Sequence, residues 1–405
     1  MKILFFSLID FDSLEEKGIY TDLLREFTRE NHQVYIISPF EKRSRKIQKI
    51  IRGDRHEIHK IKIGNIQKTN VIEKGISTLS LNHTMINYVK SNLINIEFDL
   101  ILYTTPPITL NGFIKFLKNR TGALTYLLLK DIFPQNAVDL DMMKFNGALH
   151  RYFRLKEKEL YHISDFIGVM SKKNLEYIIQ NFPELNDKIE INHNSTDIRR
   201  IDYKPLLAND RNKIRLKYDV PVDKKIFIYG GNIGKPQGAE FIKECLLLNE
   251  NNTDSYILIV GDGTESQNVK NFIKENKLFN SKFLSKLSKE EFQLLVKCCD
   301  VGLIFLDHRF TIPNYPSRII TYMEEGLPLL ASTDIITDIR DLIEDNQLGY
   351  WCESTNPNTF NDLIVNLSNR DTERMGKNSL AYLKEHFSSE TSFKTIMKHT
   401  EKRRI

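Results

Sequence analysis

The run YGGNIGKPQG (Tyr229–Gly238) follows an apolar stretch and precedes a helical pattern, with glycines at 230, 231, 234 and 238 and a lysine at 235. Glycine lets a backbone approach a ligand closely, and the free N–H groups of a following helix suit an anion. The residue types therefore point to phosphate. Two other segments sit after predicted strands in the same half: Gly261-Asp262-Gly263, and Asn314-Tyr315-Pro316-Ser317-Arg318, which leads into a helical pattern. There Pro316 suits a helix start and Ser317 a cap, while Arg318 can offer phosphate a forked contact. Each segment alone is equally readable as a turn or a cap, and it is their joint placement at strand ends that argues for a diphosphate site. A dinucleotide fingerprint is excluded at Gly261, because Ser266 stands where its third glycine would be.

The first half carries different chemistry. Asp131, in KDIFP after an apolar strand, is a candidate to orient or deprotonate a hydroxyl, or else a turn cap beside Pro134. Gly18, before a helix, is either a point of sugar approach or an ordinary turn glycine. Asp10-Phe11-Asp12 and Asp139-Leu140-Asp141 both spell the DxD that can hold a metal, and both read as loop or cap carboxylates. Between Glu41 and Lys68 there are ten Lys or Arg against three Asp or Glu, interleaved with Ile47, Ile50, Ile51, Ile61 and Ile63. That mixture suits an anionic membrane surface; the plainer alternative is a solvated loop.

Short apolar runs alternating with helical patterns must position these groups, which predicts α/β architecture with parallel sheets. Strands are expected at 2–9, 33–38, 59–63, 99–104, 124–129, 166–170 and 188–192. After a polar stretch they resume at 225–229, 256–260, 281–284, 301–306 and 327–332. The chain of 405 residues is long for one core. It divides into an N-terminal domain (1–195), a linker (196–222), a second domain (223–370) and C-terminal helices (371–405) packing back toward the first domain. A net charge of +5 is too small to mark a nucleic-acid binder. Four cysteines without metal spacing read as reduced thiols of a cytosolic protein. No apolar run reaches transmembrane length.

The runs YGGNIGKPQG, LIVGDGTE, FLSKLSKEEFQLLVKCCDVGLI and IPNYPSRIITYMEEGLPLLAS resemble the donor half of GT-B glycosyltransferases, more narrowly the retaining family 4 of bacterial capsule and O-antigen synthesis. KDIFPQNAVDL and KIEINHNSTDI are similar to its acceptor half and hinge. The resemblance implies two Rossmann-like domains facing a central cleft, and a UDP-sugar donor held by the second. It implies donor contacts from Gly231, Asn232, Gly234, Lys235, Gly261, Asp262, Gly263, Ser317 and Arg318, with Leu284 against the base. Lys235 would stabilise the leaving phosphate, and Gly18 and Asp131 would face the acceptor. The family's Glu-x7-Glu pair falls on Pro313 and Thr321, so the ribose would be held by Thr321 and backbone, or by Glu324 or Glu325. The family's Lys-Gly in the donor loop is Gln237-Gly238 here.

The implied activity is transfer, with retention, of an N-acetylated hexosamine or deoxyhexosamine from a UDP-sugar to a polyprenyl-diphosphate-linked saccharide. It would proceed without metal or other cofactor, on the inner face of the cytoplasmic membrane and without nucleic acid. A UDP-sugar epimerase of the same fold and a non-catalytic nucleic-acid or scaffold binder are the alternatives.

Overall fold

The computed structural model describes residues 1–66 and 71–401, so Gln67 and Lys68 of the basic segment and the last four residues of the C-terminal helices lie outside it. The chain forms two compact units: Met1–Asp197 with the chain from Ser389 onward, and Ile198–Ser388.

In the first unit, β1 (Lys2–Phe6), β2 (Gln33–Glu41), β3 (Lys49–Gly53), β4 (His56–Ile63), β5 (Leu100–Thr104), β6 (Leu124–Leu129), β7 (Phe166–Val169) and β8 (Ile189–Ile191) make one sheet. Its order is β3-β4-β2-β1-β5-β6-β7-β8. All neighbours pair parallel except β3 and β4. Parallel strands are covered on both faces, which is why β5 and β6 are mostly apolar and buried throughout. The antiparallel edge strand β3 lies outside the expected strands. Its sequence, KIIRG, sits within the charge-rich segment, and only its pairing with β4 makes it a strand.

The helix Ile19–Arg29 buries Leu23, Leu24 and Phe27, and also Asp22, Arg25 and Glu26. Buried charges need partners. Asp22 accepts from the Thr196 hydroxyl and the Asp197 amide at 3.0 Å each, and Arg29 reaches Asp197 at 2.6 Å. Ser389 Oγ donates to Glu26 at 2.9 Å, and Phe393 meets Phe27 edge-on at 4.9 Å. The helix Ser389–Glu401 is thereby fixed to the first unit, while Glu373–His386 stays in the second.

The second unit is a wholly parallel sheet of β9 (Lys225–Asn232), β10 (Ser255–Asp262), β11 (Ser281–Ser285), β12 (Val301–Phe305), β13 (Leu329–Thr333) and β14 (Gly349–Glu353). Its order, β11-β10-β9-β12-β13-β14, reverses between β9 and β12, the point at which open α/β sheets bind ligands. Edge strand β14, GYWCE, has no apolar run to announce it. The polar stretch after 197 contributes the helix Ala208–Lys217, whose buried Arg215 binds Asp300 at 2.7 Å.

Candidate functional site

Register gathers the predicted donor residues on one edge. Gly231 pairs with Gly261 and Gly261 with Ser285, while Asn232 pairs with Asp262 and Val260 with Leu284. β9 and β12 are in register only through Val301 with Phe227 and Gly302 with Ile228. Beyond that point the Tyr322 hydroxyl accepts from the Gly230 amide at 2.9 Å, in the place of a strand neighbour. Past Asn232 the loop folds over Gln237, whose buried Oε1 accepts from the Gly234 amide (2.9 Å) and from Asn232 Nδ2 (3.1 Å). The Gln237 side chain is thus committed inward and supplies no charge. Asn232 uses its amide to hold the loop. Lys235 opens a short 3-10 turn, is exposed, and has no ionic partner among the described residues.

Arg318 begins the helix Arg318–Glu324, with Tyr322 one turn on along the same face. Its guanidinium lies 4.3 Å over the Tyr229 ring, and a Cβ built on Gly231 would stand 3.5 Å from its Nη2. Nη1 is buried without a hydrogen-bond acceptor among the described residues. A buried charged donor left unmade is costly, and such orphans mark places built for a further partner. Ser317 departs from expectation: it is exposed and its side chain makes no cap. Thr321 is half-buried on the same helix. Glu324 and Glu325 are both buried, and Glu325 already accepts from Gln293 (2.8 Å) and faces Lys297 (3.8 Å), so it is not free to hold a ribose.

Gly261 and Gly263 are explained by the fold itself. Both have positive φ, and an added Cβ would come 1.9 Å from the Gly231 carbonyl oxygen and 2.2 Å from that of Ile233. Replacing Gly261 by Ala should therefore destabilise the second unit by about 2–4 kcal/mol. Denaturant melts check this, and an unchanged midpoint contradicts it.

At the first unit's sheet, the ends of β5 and β6 and the chain after β8 place Thr104, Thr105, Lys130, Asp131, His193 and Asn194 on one edge. Thr105 Oγ1 accepts from the amides of Lys130 (3.0 Å) and Asp131 (3.3 Å). Tyr20, at the start of the helix after Gly18, is buried near Thr104 and Asp131. A small cavity beside Tyr20 is lined by Lys130, His193 and Asn194, and Asn194 Oδ1 is buried with no donor among the described residues. Sequence reasoning missed Tyr20, Lys130 and Asn194, which converge only through the strand order. Gly18 has extended backbone and caps without a side chain.

Desolvation raises the Asp131 carboxyl from 3.8 to about 7 and lowers Lys130 to about 7, with no compensation between these chain neighbours. The folded carboxyl resists ionising, so Asp131 costs stability progressively as pH rises from about 4 to about 7 and fully above that. Asp131→Asn should accordingly melt higher than wild type at pH 8 and level with it near pH 4. Parallel melting curves at both pH values would contradict this assignment.

The two DxD runs are occupied by protein groups. Asp10 takes the Lys46 ammonium at 2.7 Å and also that of buried Lys60. Burial opposes its ionisation, but those bonds hold the carboxylate below its ordinary range. Lys60 also reaches Asp12 at 3.3 Å, and Asp139 accepts from Gln135 at 2.7 Å. The basic segment changes character too. Lys60, Ile61 and Ile63 are core residues of β4, Arg43 pairs with Glu41 at 2.7 Å, and of the isoleucines Ile47 is the exposed one.

Residues 210–381 match the family model of group 1 glycosyl transferases. The chain is 24% identical over 292 residues to a probable glycosyltransferase, WbjE, of Pseudomonas aeruginosa, covering 72% of this chain and 71% of that one. Over 202 residues, half of each chain, it is 25% identical to the N-acetylgalactosamine-N,N'-diacetylbacillosaminyl-diphospho-undecaprenol 4-alpha-N-acetylgalactosaminyltransferase of Campylobacter jejuni. The crystal structure of Anabaena Alr3699/HepE in complex with UDP-glucose superposes with a TM-score of 0.70 at 14% identity, covering 99% of this chain and 100% of that one. The architecture is GT-B. The protein is a glycosyltransferase.

Proposed function

We propose that the protein transfers an N-acetylated hexosamine or deoxyhexosamine from a UDP-sugar to a polyprenyl-diphosphate-linked saccharide, with retention, in bacterial surface-polysaccharide synthesis at the inner face of the cytoplasmic membrane. The observation that carries the donor half is the buried Nη1 of Arg318, which has no hydrogen-bond acceptor among the described residues, beside Gly231 at the point where the sheet order reverses. Support for UDP comes from the solved neighbour bound to UDP-glucose, and for the lipid diphosphate from the name of the Campylobacter relative.

In this reading Arg318 and Lys235 meet the diphosphate, Leu284 the base and Thr321 the ribose. The acceptor oxygen bonds to the sugar's anomeric carbon as the bond to the β-phosphate oxygen breaks, and UDP leaves with the electron pair. Fixed cations are worth most where that charge develops. Asp131, near neutral pH half-ionised, takes or orients the acceptor's proton. No protein nucleophile is needed.

A thermal-shift screen of nucleotide sugars tests the donor. A ligand at roughly a hundred times its Kd adds about 2.7 kcal/mol, which should raise Tm by several degrees for UDP-sugars and not for ADP- or GDP-sugars. No shift with any UDP-sugar contradicts the proposal.

A further inference from the structure

Isolated exposed apolar side chains are ordinary, but a contiguous group of large ones is not. Between β6 and β7 the chain rises from Asp131 along the carboxyl edge of the first unit's sheet and turns back down the helix Ala148–Ile163. Along this path Met142, Phe145, Leu149 and Leu155 are 56–62% exposed. Lys144, Arg151 and Lys158 lie among them, exposed and without ionic partners among the described residues. The ordinary economy of a surface helix, with leucine inside and charge outside, is broken here while His150, Glu157, Leu160 and Tyr161 fill the buried face.

A second helix extends the surface. The start of the helix Asn111–Thr121 is held on one side by Asn82, which donates to Thr109 O (2.5 Å) and accepts from the Phe113 amide (2.9 Å). On the other side Asn111 donates to Lys156 O (2.8 Å) and to Glu159 (3.0 Å). Leu79 lies one turn before Asn82 on the helix Val71–Asn92 and Leu155 precedes Lys156, so the segments that carry both leucines are anchored to the same helix start. Leu79 and Ile76 are 65% and 64% exposed. The rim so formed belongs to the edge that carries Lys130 and Asp131.

We propose that this rim, and not the segment Glu41–Lys68, is the face that docks on an anionic lipid bilayer. The inference rests on the reading of a lipid-linked acceptor. Apolar side chains interspersed with unpaired cations match the boundary between acyl chains and acidic headgroups. Among its described residues the Glu41–Lys68 segment keeps exposed cations, Lys42, Arg45, Lys49, Arg55 and Lys62 among them, but presents one exposed large apolar side chain, Ile47, while its isoleucines at 61 and 63 face the core. Docking at the rim brings the membrane to the edge where the acceptor's proton is handled.

The test is sedimentation with vesicles of phosphatidylcholine alone and of phosphatidylcholine doped with phosphatidylglycerol. Wild type should bind the doped vesicles. Leu149→Glu/Leu155→Glu should lower the partition coefficient by roughly tenfold or more, and Lys144→Glu/Arg151→Glu should remove the preference for phosphatidylglycerol. Lys42→Glu/Arg45→Glu, in the competing segment, should leave binding unchanged. All these side chains are exposed, so unaltered melting curves are expected to certify folding. The proposal is overturned if wild type ignores doped vesicles. It is equally overturned if the folded leucine double variant still binds them as wild type does, or if the Lys42/Arg45 variant is the one that fails. The UDP-sugar thermal shift of the same variants separates the two readings. A retained shift with lost vesicle binding supports the rim, and a shift absent even from wild type removes the transferase proposal while leaving the vesicle result to stand or fall alone.

Discussion

Lys235→Ala is expected to lower turnover by about 10²–10³, or roughly 3–4 kcal/mol of transition-state stabilisation, with Tm unchanged. The ammonium stands on the loop that leaves β9 at the switch point, exposed and without an ionic partner among the described residues. It therefore contributes little to folding, and in the proposed reading it answers a ligand's negative charge. Lys235→Arg should recover part of the rate, because the charge returns in another shape. The matched control is Lys270→Ala, another exposed lysine of the second unit. Lys243 does not serve, since it pairs with Glu240 at 2.6 Å and lies over the Phe272 ring. Steady-state rates and melting curves decide the matter. A folded Lys235→Ala protein with wild-type turnover would take the phosphate role from this residue.

Arg318→Ala should be at least as damaging, with a loss of roughly 10²–10³ in kcat/KM. Here a stability cost accompanies it, about 0.5–1 kcal/mol for the guanidinium stacked on Tyr229. Arg318→Lys should rescue less than Lys235→Arg does, because an ammonium keeps the charge but loses both the planar stack and the forked donors. Kinetics of the Ala and Lys variants side by side check this. Equal rescue would show that Arg318 supplies charge alone.

Much of this site was legible from residue types. Buried parallel strands write themselves as apolar runs, the glycine loop and Gly261 lie at strand ends, and Arg318 opens a helix, as expected. What the one-dimensional pattern could not carry was which group already has a partner. Gln237 and Glu325 look as available as Lys235 until the fold turns them inward onto Gly234 and Gln293. Ser317 has the chemistry of a cap but not the backbone geometry. The two glycines at 261 and 263 are demanded by neighbouring carbonyls, a constraint set by strand register and invisible to spacing. In the first unit part of the basic signal is spent inside the protein, because β4 buries Lys60 against Asp10 and Lys46 pairs with the same carboxylate. The apolar rim went unnoticed because MMKFNGALHRYFRL has the composition of any amphipathic helix, and only the observed burial shows which of its faces is left outside.

The central claim is that Lys235 and Arg318 hold the donor's diphosphate at the edge of the second sheet. Calorimetric titration of UDP and of uridine into wild type, Lys235→Ala and Arg318→Ala tests it most directly, because UDP bears the charge that develops on the leaving group and uridine does not. Each variant should lose roughly tenfold or more in UDP affinity, as expected for a charge-assisted contact, and keep its affinity for uridine. Unchanged UDP affinity in both folded variants, or an equal loss for uridine, would contradict the account.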